Sequence, residues 1–512
     1  MEGMKRMKIG KERIVFLTVF ALLLMVFALA GCSSNSYVSE TFSTGIDPEE
    51  WNSLAFKDEF PKHWESYLKN LVNEKEVKPK SDPSIEPYLP ILWNGFGFAV
   101  EYNLTRGHTF AFEDQANVRR ITDNPNAITA CMSCKSIMFP KMLDEFGDKA
   151  WSMNYHTELL PWLEEVAGDD KGTIKDSKGN VAEWGHISIG CATCHEPETM
   201  ELRITLPQLT VSLENMGYDI TKATKQDMRS LVCAQCHVEY FFDPTNNAHT
   251  TFPWDNGLKV EDMWTYYDEI WGYNEATGEL GYRPGQDGKF KGEYVSRLTN
   301  TPMQKAQHPE YELSSYGPHQ TVSCADCHMP YQRNEGEKMT SHRWGSPLKT
   351  IDESCRTCHA DKSATYLEDR VKTIQTRHKS ALLEAQDLSV DATYYVNRLM
   401  VRLEEGKAVD PAVVNKTRYL QRKGQWFWDI IAAENSYGFH NPDGSMDAYR
   451  MSMKESAEVI RLATIELMKI GEDIDELNRQ IEVTKQNVIN QEVSHEKHKD
   501  AINEWFPNLR DK

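Results

Sequence analysis

The chain has 512 residues and carries 77 acidic against 57 basic side chains, a formal charge of -20 at pH 7. Such a surface repels nucleic acid and anionic lipid, so those two partner classes are excluded and proteins remain. The length allows two or three domains, but strand signals are sparse and glycines and prolines are scattered, so the expected class is mainly α with little β structure.

A basic start runs into an apolar stretch from Ile14 to Ala30, the layout of a secretory signal. It closes on Leu29-Ala30-Gly31-Cys32, which resembles a bacterial lipobox, so residues 1–31 read as a lipoprotein signal peptide and Cys32 as a lipidated mature N-terminus. The alternative is an uncleaved anchor helix, at the short edge of the roughly 20 apolar residues that span a bilayer. Either way the protein is exported and held at a membrane, on the outer face of the cytoplasmic membrane or in the periplasm. Residues 32–46 are rich in Ser, Asn and Thr and read as a flexible tether. The folded part is expected from Asp47, as a haem-bearing region over 47–362 and a long helical region over 363–512.

The haem assignment comes from the cysteines. Eleven in an exported chain would ordinarily suggest disulfides. Apart from Cys32 they instead form five CxxC pairs, and four are followed at once by histidine: Cys191/Cys194/His195, Cys233/Cys236/His237, Cys324/Cys327/His328 and Cys355/Cys358/His359. CxxCH is the c-type haem attachment signature: two thiols add across the haem vinyl groups and the next histidine is the proximal ligand. Zinc ribbons would leave the four histidines unexplained, and thioredoxin-like chemistry needs a single CxxC. The fifth pair reads Cys131-Met132-Ser133-Cys134-Lys135. Either this pair binds no haem, or the Lys135 amine is the proximal ligand of a haem unlike the others. A lysine ligates only when deprotonated, at a cost set by an ordinary pKa of about 10.4, which a simple electron relay does not require.

One CxxCK followed by four CxxCH motifs resembles the ammonia-forming cytochrome c nitrite reductases, a pentahaem periplasmic family, and the resemblance runs from about residue 90 to the C-terminus. It implies a multihaem cytochrome c fold with long C-terminal helices, five c-type haems, one calcium ion and six-electron reduction of nitrite to ammonium. It also implies four distal histidines: His342 over the haem of Cys191/Cys194, His108 over that of Cys233/Cys236, His440 over that of Cys324/Cys327 and His319 over that of Cys355/Cys358. His63, His156, His186, His249, His378, His495 and His498 receive no role. Over the Lys135 haem the family pattern puts Tyr240, from Val238-Glu239-Tyr240, and His308, from Lys305-Ala306-Gln307-His308. The pocket also takes an arginine, for which Arg119 is preferred and Arg120 is the alternative. Glu239 and Gln307 side chains with the backbone carbonyls of Tyr240 and Lys305 are the expected calcium ligands, hard oxygen donors of the kind that suit this ion.

After His359 the pattern is helical and charged. Ile470, Ile474, Leu477, Ile481 and Val488 make an a/d-like stripe. It is expected to form a homodimer interface, with packing against the chain's own haem region as the alternative. No flavin or nicotinamide fingerprint occurs, so electrons are expected from a membrane-bound multihaem quinol dehydrogenase, which a tether at Cys32 would keep on the same membrane surface. The competing class is a pure electron-transfer cytochrome without a substrate site. Within enzymes, hydroxylamine or sulfite chemistry competes.

Overall fold

Two kinds of backbone follow each other along the chain. The computed structural model describes residues 42–71, 85–104, 106–168, 171–274, 279–280 and 293–490. The signal segment, Cys32, the tether before residue 42, His495 and His498 lie outside them. Among the described residues no helix is long and apolar enough to cross a membrane.

Up to residue 362 the elements are short. Their length follows from the motifs: Cys191–Cys194, Cys324–His328 and Cys355–Cys358 are each about one helical turn, which brings two thiols spaced i, i+3 to the same side. The Cys324 turn is started by a capping box in which Ser323 and Asp326 each accept the other's backbone N–H. Helix α1 (Lys225–Ala234) delivers Cys233, and α2 (Val260–Trp271) packs its Trp264, Tyr267 and Trp271 inward. Strands β1 (Phe241–Asp243) and β2 (His249–Thr251) pair antiparallel with Phe241 opposite Thr251. Among the described residues every sheet has two strands.

The remainder is a helical array: α3 (Ala364–Glu404), α4 (Pro411–Ala433), α5 (Pro442–Lys469) and α6 (Ile474–Asn490). Their starts are written in local chemistry. Ser363, Asp410 and Asn441 cap α3, α4 and α5, and prolines at the first position of α4 and α5 have no N–H to leave unpaired. Gly406 and Gly471, at φ +76 and +79, turn the chain after α3 and α5.

The two regions share one core. Leu89, Trp93, Phe241, Trp264, Leu313 and Ala306 from the first pack against Ala385, Trp426, Ile430 and Tyr449 from the helices. The C-terminal stripe does not form the outward face expected of it. Leu477 and Ile481 are buried against Tyr395, Leu399, Val414, Ala463 and Leu467, with Ile470 and Ile474 alongside. A hairpin between α5 and α6 covers these apolar positions within one chain, so the stripe gives no argument for a dimer. The side chain of Val488 lies outside the described residues. On the outer faces of the same helices Ile465, Met468 and Val483 are exposed.

Candidate haem and active site

One cavity of about 3030 Å³ runs through the first region. Its wall holds every motif residue: Cys131, Cys134, Lys135, Cys191, Cys194, His195, Cys233, Cys236, His237, Cys324, Cys327, His328, Cys355, Cys358 and His359. A pocket for one small ligand measures about 300–1,000 Å³, so this space takes several.

Four histidine pairs stand opposite one another across it, three edge-on and one tilted. Ring centres are 6.3 Å apart for His195 and His342, 5.9 Å for His237 and His108, 6.2 Å for His328 and His440, and 6.3 Å for His359 and His319. Two imidazoles each about 2 Å from a shared metal leave their centres roughly 6 Å apart, so these pairs have room for one iron between them. In four of the eight histidines the outer ring nitrogen is engaged. Nδ1 contacts the carbonyl of Met200 from His195, of Gly345 from His328 and of Thr340 from His342, at 2.9, 2.9 and 3.0 Å, which turns Nε2 toward the cavity. His440 Nδ1 meets the Glu434 carboxylate at 2.6 Å. Against the opposing pull of burial, that carboxylate raises His440 to about 9. The thiols of Cys134 and Cys236, and of Cys233 and Cys324, are near enough to perturb each other, so the Lys135 motif borders the His237 motif, which borders the His328 motif.

Lys135 follows a buried turn, Thr129–Met132, and lines the cavity without a carboxylate or hydrogen-bond partner for its amine among the described residues. Two backbone segments meet beside it. His308 N donates to Val238 O, Tyr311 N to His237 O, and Gln307 N to Glu239 Oε2 at 2.6 Å, which sets Tyr240 and His308 on the same wall. Burial first, then the nearby Lys135 and His237, push His308 down to about 3, while the Glu310 carboxylate opposes them. Burial, reinforced by Cys134 and Cys131, pushes the Tyr240 phenol well up. Both groups are therefore neutral donors at neutral pH.

The arginine expectation is corrected. Arg119 lies outside the cavity, its side chain 39% exposed and paired with Asp123 at 3.1 Å. Arg120 lines the cavity, stacked 4.5 Å over the Phe98 ring, with its guanidinium donating to Glu101 O and Gln115 Oε1. The backbone enters a helix at Val118, and consecutive helical residues point about 100° apart, so only one of the pair can face inward.

At the expected calcium position Glu239 is fully buried, accepting from Tyr267 and Gln307 N, and the Gln307 amide nitrogen lies 3.5 Å from Lys305 O. The Lys305 amine turns away to Asp429 at 3.0 Å, leaving its carbonyl toward Gln307. Glu293, missed in the sequence, stands 3.4 Å from the Gln307 amide. Burial raises the acids of both Glu239 and Glu293, to about 8 for the latter; Glu293 and Glu312 raise Glu239 further, and Asp429 raises Glu293. Among the described residues no three His, Cys, Asp or Glu side chains converge as a metal cluster. The fit is that of a hard cation held by mixed oxygens, whose charge would relieve the crowded carboxylates.

The described architecture is that of a multihaem c-type cytochrome. The sequence model for cytochrome c552 matches residues 47–510, and the chain belongs to that family. It is 38% identical over 479 residues to the cytochrome c nitrite reductase subunit NrfA of Nitratidesulfovibrio vulgaris, covering 87% of this chain and 85% of the relative. A cytochrome c-552 of Bacteroides thetaiotaomicron is 33% identical over 447 residues, 82% and 80% of the two chains. The structure of the NrfA catalytic subunit from Desulfovibrio desulfuricans, described with two calcium sites, superposes with a TM-score of 0.71 at 36% identity, covering 85% of this chain and 91% of that one.

Proposed function

We propose that this chain is a dissimilatory nitrite reductase that forms ammonium at a Lys135-ligated haem, with four bis-histidine haems as relays. The observation that carries it is an asymmetry: four motif histidines each face a second imidazole, while the wall beside Lys135 presents Tyr240, His308 and Arg120. A haem held by Cys131, Cys134 and Lys135 would bind nitrite and supply the electrons. The chain supplies the rest. Arg120, a permanent cation fixed by Glu101 and Gln115, holds the anion and polarises its N–O bonds. Tyr240 keeps its phenolic proton at neutral pH, and the His308 imidazole, neutral between turnovers, takes up a proton and passes it on as each oxygen leaves. One nitrite takes up six electrons and eight protons to give ammonium and two waters, so repeated proton delivery is needed at one place.

Glu239 and Gln307 side chains with the carbonyls of Tyr240 and Lys305 would hold one calcium ion, which supports the pocket segments and offsets the acidic surface. The electron donor is a membrane-bound multihaem quinol dehydrogenase, brought close by a lipid on Cys32 of an exported lipoprotein. The protein works as a homodimer, for which the exposed Ile465, Met468 and Val483 offer apolar contacts. Spin state tests the reading. Resting protein should show one high-spin haem among five, altered by nitrite, whereas five low-spin haems would make the chain an electron relay.

A further inference from the structure

The outer nitrogens of the axial histidines are held in two chemically different ways. His195 and His342, which face each other, both contact neutral backbone carbonyls. In the His328 and His440 pair, His328 contacts a carbonyl but His440 donates to Glu434, whose side chain is fully buried. Glu434 is itself fixed: Ser436 N donates to Oε1 at 2.9 Å and Ser436 Oγ to Oε2 at 2.7 Å. A second acid near an axial ligand, Glu310, is 3.7 Å from His237 Nδ1, beyond a hydrogen bond, and accepts from Asn435 Nδ2.

We propose that Glu434 is a positioning residue that sets the potential of the haem of Cys324/Cys327, holding it below that of the haem of Cys191/Cys194. A carboxylate accepting from Nδ1–H makes the imidazole a stronger electron donor and favours the more positive, oxidised iron. Burial removes the water that would screen this charge. The inference rests on the bis-histidine reading of these two sites. A relay haem of low potential gives up its electron readily, so charge does not rest on it but passes to the neighbouring haem of Cys233/Cys236.

The test is an EPR-monitored redox titration of the holoprotein. In Glu434→Gln, which keeps an acceptor and loses the charge, one low-spin midpoint should rise while the other midpoints stay. In Ser436→Ala, which removes a donor competing for the carboxylate, the same midpoint should fall. The second variant leaves Glu434 in place and decides the matter if the first does not fold. Unmoved midpoints with four low-spin haems retained, or a shift shared by all haems, would overturn the inference alone. A second high-spin haem in the wild-type protein would overturn the ligand pairing and the inference with it.

Discussion

The motif region and the C-terminal helices are ordered by different means. Before residue 363 the elements are short, the sheets among the described residues are two-stranded, and side-chain clusters such as Phe112, Phe139, Trp151 and Leu163 lie beside a cavity of about 3030 Å³. From Ala364 onward, long helices bury Val396, Leu399, Val459 and Leu467 against one another without a cofactor between them. The first region divides its interior between side-chain clusters and the motif-lined cavity, while the second owes its packing to apolar periodicity. The shared core of Trp93, Trp264 and Trp426 ties the one to the other.

The strongest way to break this comparison is to withhold haem. A chain made without haem attachment should be cut by protease throughout 85–362 while α3, α4 and α5 stay protected. Equal protection of both regions would show that the cavity wall holds itself. Next in size is chemistry at Lys135. Lys135→His should keep five haems by pyridine haemochrome and lose nitrite turnover on the order of 10²-fold, as should His308→Asn, which cannot donate and reprotonate in the same way. Arg120→Gln should fall with them and Arg119→Gln should stay near wild type, a contrast that tests the corrected arginine directly.

That correction shows where the sequence was legible. The paired cysteines recur at fixed spacing, four times with histidine and once with lysine next, so the motifs stand out in the sequence, and the histidines that the family pattern pairs have ring centres about 6 Å apart. The choice between Arg119 and Arg120 turned on one residue of helical rotation, which no motif records. The stripe through Leu477 and Ile481 announced a covered face but not its cover, and α5 and α3 of the same chain provide it. Asp429 and Glu434 were overlooked, although acids inside the apolar run Trp426–Ala433 and at its end are a signal that buried carboxylates have partners.

Smaller effects sharpen the helical side. Leu467→Ala, at a fully buried position, should cost about 2–5 kcal/mol in thermal or denaturant unfolding of the helices and leave the haem spectra unchanged. Smaller still is the Arg402–Glu472 pair, bidentate at 2.6 and 2.8 Å, which joins α3 to the turn before α6. Glu472→Gln should cost about 1 kcal/mol or less, because water screens the partly exposed pair. The Arg402 hydrogen bond holds the Glu472 acid below its ordinary value, so the stabilisation is present above the unfolded carboxylate range and lost as pH falls through the lowered pKa. Wild type and variant should therefore converge in acid and differ at neutral pH. A gap that widens in acid would reverse that assignment.

The account stands most directly on product stoichiometry. With reduced viologen as donor and nitrite as acceptor, the purified holoprotein should yield one ammonium for every six electrons consumed, with no free nitric oxide or hydroxylamine. Nitric oxide accumulating as the main product would contradict six-electron reduction, because one-electron chemistry needs neither the proposed relay haems nor the proposed proton donors beside Lys135.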